Sequence, residues 1–443
     1  MRTSVGYFPG HRFVIALIWL ATIAFIGWWS ASEFSSGAYD GDALGGDAKN
    51  YLVAIDSMRQ GGDVYREGMA TLRNYLATAG VNASRRAPLV YWYPPLSLHI
   101  FKYLAPLRDS TLDYLYAAVF TLSWLILLKV GYSLASVQER KWLQFLLPLC
   151  VFFPGLLADL GVFALNIAII LYALILLGAQ RGWRHNRWFW FYLAVFFAAI
   201  FKPYMLTLLA LPLLTGRRQW RPAIFAAISG LALFALQAWL WPQQMEEFRQ
   251  LYQLVQTSTH DFGYGPSGLF CQYLWRHGVQ TGSIFPGCGL VWITALFAAL
   301  SFLSLRLKEN PELRDSWRAI ALIGVICLSP RVTACETSAV MIPMLLVCLR
   351  AAACFVRQAR PEEGAALAAL TGKSGGTSRS LAVFLGLFVA LNLLNSLAPA
   401  WFTTEFYTLA AVLVVALVSA LRLRHFAQLS TSRANLHANL CPN

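Results

Sequence analysis

The stretch that decides the fold is WFWFYLAVFFAAIFKPYMLTLLALPLLTGRRQWRPAIFAAISGLALFALQAWL, residues 188–240. It holds three apolar runs, beginning near 188, 204 and 222. Lys202-Pro203 separates the first two, and Arg217, Arg218 and Arg221 separate the last two. The runs show no period-two alternation, so they read as helices and not as strands of a membrane barrel. Proline lacks a backbone N–H and fixes its φ, so Lys202-Pro203 ends one helix and starts the next. A helix needs about 20 mostly apolar residues to span roughly 30 Å of hydrocarbon. The first two runs are short by that measure and can also be read as one kinked helix.

Similar runs begin near 13, 112, 143, 160, 288, 317, 338, 380 and 406, which gives about twelve spans in all. The pair near 143 and 160 meets around Asp159 and is open to the same kinked reading. Composition agrees with the runs. Of 443 residues 58% are apolar and 13% charged, against about 25% charged in soluble domains. So few charges cannot cover so much apolar volume in water. A disordered chain, a collagen and a disulfide-stapled secreted module are excluded on the same ground. The expected fold is all-α: a polytopic bundle of membrane helices.

The net charge of +14 follows from topology. With Arg2 and Arg12 placed in the cytoplasm, alternate short connections carry Arg140 and Lys141, then Arg181, Arg184 and Arg187, then Arg217, Arg218 and Arg221. Later ones carry Arg306, Lys308, Arg314 and Arg318, then Arg350, Arg357, Arg360, Lys373 and Arg379. The opposite short connections hold very few, which is the positive-inside pattern and not a nucleic-acid surface. The first run reads as a retained signal-anchor, since no small-residue cleavage site follows it. The expected organisation is a membrane module over 1–357, a cytoplasmic linker over 358–379, membrane helices over 380–421 and a cytoplasmic tail over 422–443. Two outer-face segments, about 30–111 and 242–287, are too long to be plain connections.

Ionisable residues near membrane spans are costly and mark function by default. Asp40, Asp42, Asp47, Asp159, Lys202, His260, Asp261, Arg331 and Glu336 all fall on the outer side of this topology. The middles of the spans are nearly free of charge, with Asn166, Gln237 and Asn392 as mild exceptions. A transporter places its site near the midplane. A one-sided rim suits an enzyme acting on a membrane lipid head group. Cys271 and Cys288 share the second outer segment on an oxidising side, so a disulfide is expected between them. No Cys/His spacing resembles a zinc site, and no Gly-rich nucleotide fingerprint appears.

The order of short motifs adds a resemblance. Asp47 follows the first span, then Tyr51, then Gly61-x-x-x-Tyr65, then Tyr93-Pro94-Pro95 before the second span. Further on come GLLADLGVFALNIAIILYALILLG (155–178), FKPYMLTLLALPLLTGRRQWR (201–221), YGPSGLFCQYLW (264–275) and LSPRVTACETSAVMIPM (328–344). In that order they resemble the GT-C glycosyltransferases, and more narrowly glycosyltransferase family 87, which includes polyprenyl-phosphomannose-dependent mannosyltransferases. Two departures stand out. Ala164 and Leu165 replace the family's Gly-Gln before Asn166, and Cys335-Glu336 stands where an aromatic-Asp pair is common.

The resemblance implies an inverting sugar transfer, mannose being the expected sugar. The donor would be a polyprenyl phosphate sugar, and the acceptor a lipid-linked or cell-envelope glycan at the outer face of a bacterial inner membrane. It implies Asp47 as general base and Lys202 and Arg331 as ligands of the donor phosphate. Tyr51, Tyr65, Tyr93, His260 and Glu336 would serve substrate binding. The partners are the donor, the acceptor and membrane lipid; no nucleic acid or cofactor is called for, and the motifs do not establish a metal requirement. Two other readings share these features: a lipid-glycan flippase, and a non-catalytic scaffold of the same fold. Each residue also has a plain role. Asp47 can be a helix N-cap, Lys202 and Arg331 interfacial cations, Glu336 half of an ion pair, and His260 a surface histidine.

Overall fold

The computed structural model describes most of residues 46–440 and scattered positions within 13–24; residues 80–89, 153–165, 260–265, 280, 282–283, 330–331, 333, 359–362 and 374–403 lie outside the described residues. Every regular element among the described residues is a helix. The chain is an all-α membrane protein.

Two helices precede the first long one: α1 (Gly46–Arg59) and α2 (Val64–Ala79). A short helix, α3 (Pro95–Lys102), then leads into α4 (Asp109–Ser133) and α5 (Val137–Phe152). Pro94 caps α3 in extended conformation and Pro95 takes its first position, where a missing N–H costs nothing. Next come α6 (Ile167–His185) and α7 (Phe189–Phe201), a 3-10 segment (Pro203–Leu209), α8 (Ala210–Thr215) and α9 (Trp220–Leu240). The second long connection forms α10 (Pro242–Thr259) and α11 (Pro266–Arg276). The remainder is α12 (Ile284–Leu307), α13 (Arg314–Ile326), α14 (Ala334–Ala339), α15 (Met341–Gln358), α16 (Glu363–Leu370) and α17 (Thr404–Leu440).

Among the described residues five helices are long and apolar enough to cross a membrane: α4, α6, α9, α12 and residues Leu409–Leu429 of α17. Phe189–Phe201, Pro203–Thr215 and Met341–Val356 are shorter apolar helices. The runs near 13 and 380 lie mostly or wholly outside the described residues. Helix α13, where a span was expected, is only 13 residues long and buried on nearly every side; it touches α8, α12, α15 and α17. A helix so enclosed needs no lipid-facing length. By contrast α9 leaves Ile224, Phe225, Ile228 and Leu231 uncovered, and α4 leaves Leu122 and Leu125, as lipid-facing helices do.

The break at Lys202-Pro203 is as the sequence predicts: α7 stops at Phe201, Lys202 is extended, and the 3-10 segment opens on Pro203. Asn166 is a different matter. It is no mid-span residue but the N-cap of α6, its side chain accepting from the Ala168 N–H at 2.8 Å. Gln237 likewise sits one turn from the end of α9, and its Oε1 accepts from the Leu96 N–H at 2.9 Å. Both amides satisfy helix-terminal donors that hydrocarbon would leave bare.

Helices α6 and α7 pack closely because α6 carries Gly178 and Gly182 on the shared face. A Cβ at Gly178 would lie 2.7 Å from the Phe191 backbone, and one at Gly182 would lie 2.5 Å from the Trp188 ring. This hairpin brings the N-terminus of α6 and the C-terminus of α7 to one end of the bundle. The other end is tied by Trp183 Nε1 to Thr215 Oγ1 (2.9 Å) and Trp317 Nε1 to the Leu214 carbonyl (2.9 Å).

That second end also holds a buried ion pair. Arg350 of α15 donates from Nε and Nη2 to the two carboxylate oxygens of Glu139 on α5, at 2.7 and 2.9 Å. It also reaches Ser316 Oγ (2.8 Å) and the Leu134 carbonyl (3.0 Å). Sequence reading counts Arg350 among the solvated topological charges, but the structure buries it. Within the stretch expected as a flexible linker, α16 is helical and packs on α15 through Ala366, Ala369 and Leu370; its alanine and leucine content supports both helix and burial. Gly372 ends α16 at φ +72, with Lys373 N–H bonded to Ala368 O and Gly372 N–H to Ala369 O, a Schellman close. Helix α17 runs on to Leu440, through the boundary expected at 421.

Candidate functional site

The site lies at the end of the bundle where α6 begins and α7 stops. Five helices converge there: α1 packs on α3, α3 on α7, and α14 on α6. Tyr51 comes from α1, one helical turn after Asp47, so the two positions share a face. Tyr51 is buried. Its hydroxyl shares a 2.9 Å hydrogen bond with the Tyr93 hydroxyl and accepts from the Ile167 N–H at 3.4 Å. Its ring stacks on Phe101, and Phe101 meets Phe201, the residue before Lys202. Tyr65 donates to the Tyr93 carbonyl at 2.8 Å. Burial, with Tyr91, Asp63 and Glu247 nearby, pushes the Tyr65 hydroxyl well above the usual phenol range, so it remains a donor. Tyr91 and Ser97 share a 2.6 Å bond beside it.

The charged part of the site is Lys202 with Glu336. Lys202 Nζ lies 3.8 Å from Glu336 Oε1, and both side chains are buried, Glu336 completely. The hydroxyl of Tyr204 donates to the same Glu336 oxygen, and Lys202 Nζ sits 5.7 Å from the Tyr204 ring centre. Tyr93 and Tyr172 are within electrostatic reach of that hydroxyl. The Pro203 break makes this possible. An extended residue at 202 lets Lys202 leave the helix axis, and the 3-10 segment turns Tyr204 toward α14. Buried ions persist only with partners, and here a cation, a carboxylate and a phenol supply one another.

Of the residues expected from sequence, Tyr51, Tyr65, Tyr93, Lys202 and Glu336 stand together in this region. The backbone of Asp47 is in the first turn of α1, while its side chain lies outside the described residues. Asp40, Asp42, Asp159, His260, Asp261 and Arg331 lie outside them too. Sequence reasoning missed Tyr204, although it is two residues from the recognised Lys202 and its place beside a proline break was the available signal. It also missed Glu247 on α10. Its Oε1 accepts from Arg66 Nε at 2.7 Å, 181 positions away, a pairing no local pattern announces.

Cys271 of α11 is fully buried, and Cys288 is half-buried near the start of α12. They are neighbouring thiols, unbonded in this structure. Burial, then the adjacent Cys288, push the Cys271 thiol up to about 11. Among the described residues no group of three His, Cys, Asp or Glu side chains is placed to hold a metal ion.

The fold and this cluster define a class: a polytopic helical membrane protein with a buried polar site at one end. The profile of glycosyltransferase family 87 matches residues 91–330, more than half of the chain, and the chain belongs to that family. It is therefore a membrane glycosyltransferase. The matched stretch includes Tyr93, Asn166, Lys202 and Tyr204; Asp47, Tyr51, Tyr65, Arg331 and Glu336 lie beyond it. No curated protein and no solved structure matches the chain significantly.

Proposed function

We propose that this glycosyltransferase moves a sugar, with mannose the expected one, from a polyprenyl phosphate donor to a lipid-linked or cell-envelope glycan. The reaction would take place at the outer face of the inner membrane, with inversion at the anomeric carbon. The observation that carries the reading is the meeting of Lys202, Glu336 and Tyr204 with Tyr51 and Tyr93, at the bundle end opposite the Arg350 ion pair.

In this mechanism the acceptor hydroxyl attacks the anomeric carbon and its proton passes to the Asp47 carboxylate. The bond from that carbon to the phosphate oxygen breaks, and polyprenyl phosphate leaves with the electron pair. Lys202 stabilises the charge that develops on the phosphate, with Arg331 as a second cation. Glu336 and Tyr204 hold Lys202 in place between turnovers. Tyr51 keeps the first turn of α1, and with it the Asp47 position, against the N-terminus of α6. A lipid-borne phosphate fits a cation at a helix break close to a membrane face.

The test is transfer by the purified protein in nanodiscs, given a panel of labelled polyprenyl phosphate sugars and lipid-linked acceptors. Transfer from one such donor, lost in Asp47→Asn, supports the reading. Transfer from a nucleotide sugar alone rejects the donor, and lipid-glycan exchange across the bilayer without transfer rejects the enzyme.

A further inference from the structure

The two long outer segments meet in a way that the transfer chemistry above does not use. Helices α2 and α10 pack along each other, and α10 also touches α3. Glu247 of α10 is buried there. Its Oε1 accepts from Arg66 Nε (2.7 Å) and Gln243 Nε2 (3.1 Å), while its Oε2 is shut from solvent with no hydrogen-bond partner. An unpaired buried acceptor is costly, more so when charged, and such a group calls for an explanation. Its partner Arg66 stands at the surface, with a side chain 60% exposed; its Nε also lies 3.3 Å from Asp63 Oδ2, and no other guanidinium nitrogen of Arg66 is hydrogen-bonded to a side chain among the described residues.

One turn along α10 stand aromatic rings. Tyr252 stacks on Trp92 at 6.0 Å and 25°, and both are partly exposed. Phe248 meets Tyr252 and, edge-on, Tyr65. Trp92 adjoins Tyr93, so this surface is continuous with the site around Tyr51. A buried carboxylate oxygen that lacks a donor, an exposed guanidinium whose N–H groups can exchange water for a ligand's oxygens, and flat aromatic faces form one combination. A sugar ring meets all three, because its hydroxyls donate and accept and its C–H face lies on an aromatic ring. A phosphate does not, because the buried Glu247 charge repels it.

We infer that the α2–α10 surface is a glycan subsite, in which Glu247 and Arg66 bind sugar hydroxyls and Trp92 with Tyr252 carries a sugar ring. The inference rests on the glycosyl-transfer reading only in assigning the ligand to the acceptor.

Saturation-transfer NMR tests it without turnover, using α-linked mannobiose and methyl glucopyranoside as probes on the full-length protein in nanodiscs. Saturation transfer to at least one probe is expected in the wild type, with at least a tenfold weakening in Glu247→Gln and in Tyr252→Ala. Tyr252→Ala decides the matter if Glu247→Gln does not fold, since Tyr252 is partly exposed. No saturation transfer in the wild type, or equal transfer in folded variants, overturns the subsite. In the transfer assay, Tyr252→Ala should raise the acceptor KM about tenfold and leave the donor KM unchanged. An acceptor KM that does not move also overturns it. Failure of the wild type to transfer at all would count against the proposed function and leave the NMR result to judge the subsite.

Discussion

Replacing Arg350 by methionine tests the packing of the bundle end opposite the site. Met keeps much of the volume and removes the charge. Four hydrogen bonds disappear: two to the Glu139 carboxylate, one to Ser316 Oγ and one to the Leu134 carbonyl. Glu139 keeps the Ser136 N–H at 2.8 Å but is left as a buried, uncompensated carboxylate. Removing one partner of a buried pair costs about 3–5 kcal/mol. The upper part of that range is expected, because the Leu134 carbonyl also loses a donor, at about 1 kcal/mol. The double variant Glu139→Gln with Arg350→Met carries no buried charge and should recover most of the loss, since removal of both partners can be near neutral. The assay is reversible unfolding in mixed micelles for wild type, both single variants and the double. A coupling energy of about 2 kcal/mol or more is expected. A cost below about 1 kcal/mol for Arg350→Met, or additive single costs, would refute the view that this pair locks α5 to α15.

Acid should find the same lock. Burial alone would raise the Glu139 carboxyl, but the hydrogen bonds and charge of Arg350, with the Ser136 N–H, outweigh it and hold it below its ordinary 4.5. A depressed carboxyl contributes its full stability above the unfolded value and loses it as pH falls through the folded one, so the unfolding midpoint should drop below about pH 4.5 less steeply in Glu139→Gln than in wild type. Gly372→Ala should destabilise the protein by roughly 2 kcal/mol in the same assay, because a left-handed φ alone costs about 1–2 kcal/mol for a residue with a Cβ and that Cβ would lie 2.6 Å from Glu139 Oε1. In the transfer assay, Lys202→Ala should raise the donor KM by roughly 10- to 100-fold, the equivalent of one charge-assisted hydrogen bond at about 1.5–3 kcal/mol; unchanged donor dependence would remove Lys202 from the phosphate. Peptide mapping without reductant should find Cys271 linked to Cys288 in protein isolated from membranes, and free alkylation of both would reject the bridge.

What could be read from the sequence follows the range of the interactions involved. The break at Lys202-Pro203 was legible because proline acts on its own helix, and the all-α membrane class was legible because apolar runs of that length admit little else. The aromatic and charged members of the site, Tyr51, Tyr65, Tyr93, Lys202 and Glu336, were named through motif order, which fixes residue types but not their neighbours. Asn166 and Gln237 were misplaced because apolar runs mark membrane depth and not helix ends; α6 starts after Asn166, where a side chain can cap it, and the end of α9 caps another helix altogether. Arg350 was misread for a related reason. Its residue type and position fit the basic side of the topology, while its partner Glu139 lies 211 positions away. Tyr204 shows the same limit inside the site, for only the packing of α14 on α6 brings Glu336 to it. Pairings across the bundle are made by packing, and a single chain read in order carries no record of them. The partners expected to matter most for chemistry, Lys202 with Glu336 and Glu247 with Arg66, are of this long-range kind, so paired substitutions across the bundle test the mechanism more directly than changes within any one motif.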